Sequence, residues 1–488
     1  MALALLCFAI LPKAQGVIPP PDGGYPGFNT AEGQKALFNL STGSANTAVG
    51  WYSLFGDAGG SFNTATGAGA LLFNTADENT AFGAAALLFN TTGVNNTAVG
   101  AAALLNNTAT GNTAIGSNAL LNNTTGGTLE NVQGFDVGPN VAVGWEALES
   151  NTIGSANTAV GYQALHSFIT GPVGFEQLGL STAVGFQALG NATGSLGNAA
   201  FGYRALYNNT EGTGNTAIGL VALRENTTGG SNTATGVSAL QNNTSGAFNT
   251  ANGAGSLVNN GTGGANVAIG SQALGSNSAG HQNTAVGAAA LFNSTIGTGN
   301  IGIGINAGLG VTTASSVICI GASGANVSDS CYIGNIFGVT SSGGTAVFVN
   351  SDGKLGTSTS SRRFKKDIKP MDSGSEAVFA LTPVSFRYKE EIDPAGMQQF
   401  GLVAEDVEKI NPDLVMRDKE GRPYSVRYEQ VNAMVLNEFL KEHRTVQELK
   451  KEVAALIATV KQQAEQLEKV SAGVSRSKVA LNVARNKQ

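Results

Sequence analysis

Short apolar and polar segments alternate with a fixed phase along most of the chain. The five-residue pattern Asn-Thr-Ala-x-Gly recurs, for example at 46–50, 96–100, 215–219 and 283–287. The last residue of this pattern is a glycine. From Gly33 to Gly321, successive glycines of this kind lie 17 residues apart in 12 of 16 intervals, as in 50 − 33 = 17, and 16 residues apart in two more. A fixed period of this kind is typical of a protein built from stacked repeats.

The two remaining intervals are longer, at 144 − 116 = 28 and 185 − 161 = 24. They equal one repeat plus insertions of 28 − 17 = 11 and 24 − 17 = 7, near Gly127 to Pro139 and Phe168 to Gln177. The repeat resumes in phase after each insertion. We therefore expect both insertions to be loops on the stack.

Each repeat holds a second short apolar piece and then a turn cluster, as at 102–105 and 122–127. This arrangement predicts two strands and a turn per repeat. A helix is disfavoured because frequent Gly, Asn and Thr lower helix propensity by about 0.5–1 kcal/mol each relative to Ala. Ala48 and Gly50 recur in every repeat, which indicates close approach of neighbouring backbones, and Asn side chains are expected to form ladders along the turns.

Residues 29–334 resemble the head repeats of trimeric autotransporter adhesins, whose Ala-Ile-Gly-rich coils form parallel β-rolls. The resemblance implies a mainly β, repetitive parallel β-roll or β-helix fibre. The period here is longer than in those heads, so a roll and a triangular β-helix both remain open. A disordered Gly/Asn-rich linker is the alternative from composition alone, and the strict phase disfavours it.

The chain changes character after Gly353. Alternating patterns predict strands at 384–388 and 400–403 and a third at 424–428, with a short helix at 404–410 that Asn411 and Pro412 end. We therefore predict a connecting segment at 335–359 and a small α/β domain at 360–430.

The last helix carries a heptad pattern. Apolar residues repeat every seven positions, with a second set three positions later, which predicts a coiled coil over 431–472 followed by a basic tail at 473–488. Gln463 in the core would help to fix register. A single amphipathic helix packed on the domain is the alternative. The first set is Val446, Val453, Val460 and Leu467, and the second is Leu449, Leu456, Gln463 and Val470.

Composition separates the two parts in the same way. Only 12% of the 488 residues are charged and 67 are Gly, unlike an ordinary soluble enzyme. Residues 1–354 have net charge 5 − 14 = −9 and the rest 22 − 19 = +3, with no basic stripe for nucleic acid. Apart from Cys7, only Cys319 and Cys331 are present, without zinc-ligand spacing. We expect no metal and no cofactor, and two buried thiols, with a disulfide as the alternative.

The N-terminus indicates export. An apolar run from Ala2 to Leu11 precedes Ala14-Gln15-Gly16, the small residues that a signal-peptide cleavage site needs. We predict a signal peptide at 1–16, a Pro/Gly linker at 17–28, and a secreted or cell-surface protein. The run is too short to span a bilayer, and no other stretch predicts a membrane span.

Three ordered motifs in the C-terminal part resemble one family closely. They are SSRRFKKDI (360–368), GLVAEDVEKINPDLV (401–415) and YEQVNAMVLNEFLKE (428–442). They are similar to the intramolecular chaperone domain of phage endosialidases and other tail spikes, also found in myelin-regulatory transcription factors. The resemblance implies a domain that trimerises its fibre, helps it fold and then removes itself with a Ser/Lys dyad.

The resemblance places the catalytic serine at Ser360 and the general base at Lys365. Position 361 is Ser where the family commonly has Asp or Asn, so Ser361 is a second candidate nucleophile. The lysine must be neutral to accept a proton, which burial or the nearby cations Arg362, Arg363 and Lys366 would favour. Spacing alone does not bring the two side chains together, because side chains five residues apart point in different directions on both a strand and a helix. A turn or a neighbouring chain must do so; otherwise the segment is a basic linker.

These observations predict an exported, trimeric structural or adhesive fibre with a self-cleaving chaperone. Its partners would be two further copies of the chain and a cell-surface or glycan ligand. One alternative is a tail spike that acts on glycans, although the acids of the array (Glu130, Asp136, Glu146 and Glu149) look scattered. The other is an ice-binding protein with regular Thr spacing.

Overall fold

The computed structural model describes residues 25–127, 130–132, 135–169, 179–350 and 352–485. The predicted signal peptide at 1–16 lies outside the described residues, as does most of the predicted linker at 17–28. The chain divides into two compact units, residues 1–339 and 340–488.

The first unit is a parallel β-solenoid. Eighteen three-residue strands, one from each coil, form a single sheet in which each strand pairs with the next in the coil register, for example Thr47 with Thr64 and Ala48 with Ala65. The strands are β1 Thr30–Glu32, β2 Thr47–Val49, β3 Thr64–Thr66, β4 Thr80–Phe82, β5 Thr97–Val99, β6 Thr113–Ile115, β9 Val141–Val143, β10 Thr158–Val160, β11 Thr182–Val184, β12 Ala199–Phe201, β13 Thr216–Ile218, β14 Thr233–Thr235, β15 Thr250–Asn252, β16 Val267–Ile269, β17 Thr284–Val286, β18 Ile301–Ile303, β19 Ile318–Ile320 and β20 Cys331–Ile333.

The solenoid core consists of small residues. The central residue of most strands is a fully buried Ala such as Ala48, because side chains alternate between the two faces of a strand. An Ala-Leu pair from the following segment, such as Ala70 and Leu71, is also fully buried. Each coil buries little by itself, so the coils are stable only when stacked.

The prediction of two strands per repeat was wrong. The second apolar segment of each coil is a turn in which alternate residues are left-handed, as at Tyr52 (φ 58°) and Leu54 (φ 49°). It still bonds to the next coil, since the Leu54 N–H donates to the Ala70 carbonyl at 3.0 Å. The hydrophobic pattern reports burial, whereas the backbone conformation follows from how this segment bends around the core.

The repeated glycine marks a close contact between coils, as predicted. Gly50 has φ +131°, and a Cβ placed there would lie 2.6 Å from the carbonyl oxygen of Gly67. Any other residue would force the two coils apart, which explains the Gly at this position.

Two buried asparagine ladders run through the solenoid. In the first, each backbone N–H donates to the Oδ1 of the Asn one coil earlier, as from Asn46 to Asn29 at 2.8 Å. In the second, where successive coils both carry asparagine, the Nδ2 donates to the Oδ1 one coil earlier, as from Asn90 to Asn74 at 2.8 Å. The expectation of Asn ladders is thereby confirmed for the described coils.

We expect replacement of Asn243 by alanine to destabilise the solenoid by about 2–4 kcal/mol. The buried Asn243 Nδ2 donates to Asn226 Oδ1 at 2.6 Å and to the Gly246 carbonyl at 2.9 Å, and its Oδ1 accepts from Asn260 at 2.7 Å. The measurement is urea unfolding of the full chain followed by circular dichroism. The half-buried neighbour Asn242 is the matched control, and equal destabilisation by both substitutions would contradict the role of the ladder.

Asp57 occupies the second ladder one coil before Asn74. Burial raises the pKa of its carboxyl, although hydrogen bonds from Gly60 and Asn74 oppose the shift. The folded chain therefore holds the proton more tightly than the unfolded chain does. This carboxyl's contribution to stability is present below the unfolded pKa, near 3.8, and is lost as the pH rises through the folded pKa.

Asp57→Asn should accordingly raise the melting temperature at pH 7 and lose that advantage near pH 3. The amide can adopt the arrangement of Asn90, whose Nδ2 donates to the Gly93 carbonyl at 2.8 Å. Asp329→Asn, at an exposed aspartate far from Asp57 in the array, is the matched control. Melting curves that shift equally at both pH values would disprove this assignment.

The array continues in register across both insertions. β6 pairs with β9, placing Thr113 opposite Val141, and β10 pairs with β11, placing Thr158 opposite Thr182. The first insertion carries an antiparallel hairpin, β7 Glu130–Val132 with β8 Phe135–Val137. Most of the second lies outside the described residues.

The two cysteines of the solenoid are free, with Cys319 buried and Cys331 exposed. The prediction of two buried thiols was therefore wrong for Cys331. In the β19–β20 register Cys319 lies opposite Tyr332, not Cys331. Burial raises the pKa of the Cys319 thiol.

The second unit is a small α/β module. Hairpins join β21 Val347–Val349 to β22 Leu355–Thr357, β23 Val384–Phe386 to β24 Gln399–Gly401, and β25 Val415–Arg417 to β26 Pro423–Val426. The helices are α1 Ala404–Ile410, α2 Tyr428–Arg485 and 3-10 turns at Arg362–Phe364, Asp372–Ala380 and Pro412–Leu414. The predicted short helix and the three predicted strands are all present.

Helix α2 continues through 473–485, where we predicted the basic tail. This segment contains no proline and several good helix formers, so nothing in its sequence ends the helix. Among the described residues, no helix is both long enough and apolar enough to cross a bilayer.

Candidate active site

A short 3-10 turn brings Ser360 and Lys365 together. The turn spans Arg362–Phe364, and its backbone bonds run from Phe364 N to Ser361 O at 3.0 Å and from Lys365 N to Arg362 O at 3.1 Å. The chain thus folds back, and the Lys365 Nζ donates to the Ser360 Oγ at 3.1 Å. With a neutral amine the same contact would let the serine hydroxyl donate its proton to the lysine.

The turn distinguishes the two neighbouring serines. Ser361 is the residue at the N-terminal end of the turn, and its carbonyl accepts the first backbone bond. Its side chain makes no capping bond there, and the lysine amine contacts Ser360 instead. The geometry therefore favours Ser360 over Ser361 as the hydroxyl next to the base.

The surroundings of the pair are cationic. The Arg363 guanidinium lies over the Phe364 ring, 4.6 Å from its centroid. Within the described part of the chain, neither Arg362 nor Arg363 nor Lys366 forms an ion pair with a carboxylate. Within these residues, no carboxylate therefore neutralises their positive charges.

The pair is exposed in a single chain. Residues 352–374 are all exposed, including Ser360 and Lys365. Water stabilises a charged ammonium, so a lysine base needs desolvation that the isolated chain does not give this site. The contact between Lys365 and Ser360 is thus formed within one chain and is open to water.

A buried polar network fixes the segment that follows the dyad. Ser375 donates a short hydrogen bond to Glu438 of α2, and Asn437 Nδ2 donates to Ser375 Oγ at 2.7 Å. Hydrogen bonds from Lys441 and Ser375 hold the pKa of Glu438 below its usual range. The sequence motif at 428–442 contains Glu438, but nothing in its pattern paired this residue with Ser375.

A second contact joins two of the motifs. The Tyr428 hydroxyl accepts a hydrogen bond from the Leu402 N–H at 3.0 Å. A Cβ at Gly401 would lie 2.8 Å from that hydroxyl oxygen, so a larger residue here would displace the tyrosine hydroxyl. Gly401 therefore leaves room for Tyr428, the first residue of α2, to accept the hydrogen bond from Leu402 at the end of β24.

Two other places in the chain hold histidine side chains with close neighbours. His443 lies in α2, with its ring 6.4 Å from that of Phe439. In the solenoid, Glu146 and Glu149, which looked scattered in the sequence, lie together with His166. Within the described residues, this is the one group of three such side chains close enough to share a metal ion.

The comparison with known families concerns the C-terminal unit. Residues 360–416 match the family described as chaperone of endosialidase. The match begins at Ser360, includes Lys365 and the motif at 401–415, and ends before the motif at 428–442. It confirms the resemblance over these residues. No curated protein and no solved structure was found to match the chain.

Proposed function

From a chaperone-of-endosialidase domain that follows a parallel β-solenoid, we propose that the chain is an exported, tail-spike-like fibre. Three copies would assemble through the C-terminal unit, which would then release itself by cleavage at Ser360. The observation that carries the proposal is the contact between Lys365 Nζ and Ser360 Oγ at the start of the family match.

The proposed reaction is a single-turnover acyl transfer. Neutral Lys365 accepts the Ser360 hydroxyl proton while Oγ attacks the scissile carbonyl carbon. The C–N bond breaks, the amine takes the proton from the lysine ammonium, and an ester to Ser360 remains. Water then hydrolyses that ester, so the net change is hydrolysis of one peptide bond.

The apolar seam of α2 supports assembly. Its heptad positions are exposed in the single chain, Leu456 to 69%. A long helix gains little from exposing such a seam, whereas a coiled coil buries it. Val446, Leu449, Val453, Val460, Leu467 and Val470 are exposed in the same way.

The rest of the C-terminal unit also has too small a core for its apolar content. Its buried apolar cluster consists of Val407, Leu414, Val415, Val426 and Met434. Larger side chains are exposed, including Phe364, Phe379 and Phe400, the last to 80%. A cavity of about 560 Å³ lies between the turn at 372–380 and α2, lined by Val378, Phe379 and Phe439 among others. Neighbouring copies would cover these surfaces and desolvate the dyad.

The solenoid carries an apolar stripe that a second copy would cover. The third residue of most strands points outward and is apolar, which places one such side chain above the next along the sheet. Exposed members are Val49, Phe82, Val99, Ile115, Phe201, Ile218, Ile269, Val286, Ile303, Ile320 and Ile333.

Assembly from the C-terminus has a physical purpose in a repetitive fibre. Each coil resembles the next, so a slip of one repeat between chains is little disfavoured. A coiled coil at one end fixes the register before the coils pack. If neighbouring chains must desolvate Ser360 and Lys365 before cleavage, the chain would be cut only after correct assembly.

The ice-binding alternative gains no support from the coils. Regular Thr rows would need Thr at both outward positions of successive strands. Only β3 and β14 read Thr-Ala-Thr among the solenoid strands, and they are far apart in chain order.

The mass of the purified product tests the proposal. Full-length protein that is expressed without added protease should yield a C-terminal fragment that begins at Ser360 or Ser361 and ends at Gln488. The fragment masses identify whether the 359–360 or the 360–361 bond breaks. Light scattering should give three chains per particle. Intact monomers would contradict the proposal.

A further inference from the structure

Three metal-ligating side chains meet on two adjacent coils of the solenoid. Glu146 and Glu149 follow Gly144 by two and five positions, and His166 follows Gly161 by five. Because β9 and β10 pair in register, side chains one period apart lie above one another. The His166 Nε2 is 2.7 Å from one Glu149 oxygen and 3.6 Å from one Glu146 oxygen.

Backbone hydrogen bonds hold this group in place. The Glu146 N–H donates to the Ser117 carbonyl at 3.0 Å, and the Ser150 N–H donates to the His166 carbonyl at 3.1 Å. The Gln163 amide donates to the same Glu146 oxygen at 2.9 Å. Both carboxylates are thus presented by regular coils, which fixes their spacing before any ion arrives.

The three side chains are partly buried and lie close to one another. The Glu146 and Glu149 side chains are 14% and 20% exposed, and that of His166 is 30% exposed. A ligand oxygen of each carboxylate and the His166 nitrogen all lie within 4.8 Å of one another. No lysine or arginine among the described residues forms an ion pair with either carboxylate.

One imidazole and two carboxylates form a ligand set for a divalent transition cation. Tetrahedral zinc with bonds of 2.0–2.1 Å separates its ligands by about 3.3 Å, between the two distances observed here. The second ring nitrogen of His166 lies 3.4 Å from the Ser167 hydroxyl, as second-sphere partners of metal-bound histidines often do.

The same coils interrupt the second asparagine ladder. Asn151 is followed one coil later by Phe168, and its Oδ1 has no hydrogen-bond partner. Both insertions of the array also flank these coils. A link between them would replace the contact that asparagine supplies in coils such as those of Asn226 and Asn243.

We infer that Glu146, Glu149 and His166 bind a divalent transition cation of the zinc class, which clamps two neighbouring coils where the ladder is broken. The inference does not rest on self-cleavage or on assembly. It replaces our expectation from the sequence that the chain holds no metal.

The test uses full-length protein stripped with EDTA and titrated with Zn²⁺ alone by calorimetry. We expect one ion per chain, and an affinity lowered about 100-fold or more by His166→Ala or Glu149→Gln. His281→Ala is the matched control, because this solenoid histidine contacts the Gly264 backbone N–H and should leave the affinity unchanged. Zn²⁺ should raise the melting temperature of the wild type and of that control only. If wild type and His166→Ala take up zinc equally, His166 and the two glutamates form an ion pair and no metal site, and the inference is overturned.

A second measurement decides the matter if those variants fail to fold. The chain has two tryptophans, and Trp51→Phe leaves Trp145, which adjoins Glu146, as the only one. Co²⁺ bound at this site should quench Trp145 fluorescence, and EDTA should restore it. Unchanged fluorescence at saturating Co²⁺ would overturn the inference.

Discussion

Replacement of Ser360 by alanine, or of Lys365 by alanine, is expected to leave the full 488-residue chain uncut. The first change removes the attacking oxygen and the second removes the amine that lies 3.1 Å from it. Loss of either half of such a pair slows cleavage by roughly 10³-fold or more. Fragment formation over several days, followed by mass spectrometry, measures the effect.

The turn itself supplies the matched controls. Ser361 and Lys366 are the neighbours of the dyad in sequence and are equally exposed, but they do not form the Lys365–Ser360 contact. Ser361→Ala and Lys366→Ala should therefore still be cut, with Lys366→Ala slower if uncompensated charge helps to keep Lys365 neutral. Cleavage that survives Ser360→Ala but stops with Ser361→Ala would assign the nucleophile to Ser361. Trimers should form in every case, because none of these residues lies in the heptad seam.

Aspartate at both Val453 and Val460 should abolish assembly. In a three-stranded coiled coil the two substitutions would place six carboxylates in a dry core, which disfavours it by several kcal/mol. We expect the monomer mass by light scattering at micromolar concentration. Cleavage should stop as well, since the exposed dyad would lack the neighbours that desolvate it.

Lys451→Asp with Ala458→Asp is the matched control for the seam. Both positions lie on the same helix, two positions before Val453 and Val460, on the side away from the predicted seam. They introduce the same two aspartates into the same stretch of helix. Monomers from the control pair as well would show that added charge, not the seam, disrupts assembly.

Much of the fold follows directly from the sequence. The repeat period gave the position of every coil, the insertions kept the phase, and the recurring Ala48 and Gly50 indicated where neighbouring backbones approach closely. Local stop signals set the end of α1 at Asn411 and Pro412. These features are local or periodic, so a reader of the sequence needs no distant contact to find them.

The metal-ligand group was missed for the opposite reason. Glu146 and Glu149 lie close together in the sequence, but His166 follows Glu149 by one full repeat, a separation that is not a zinc-ligand spacing. Only coil stacking turns one repeat length into direct contact. Once the period is known, the rule that residues one period apart lie above each other would find such groups.

Sequence reasoning was sufficient for the repeating solenoid and for the order of the C-terminal elements, whereas the roles of Ser360 and Lys365 and the coiled coil of α2 stay predictions. It could not supply the backbone path of the second half of each coil, the 3-10 turn that joins the dyad, or the contact between Ser375 and Glu438, all of which come from the folded chain. The periodic pattern reflects which positions are buried, and this can be inferred from the sequence one position at a time. The direction of a side chain and its partner across a turn or a coil depend on backbone angles that the packed chain sets collectively.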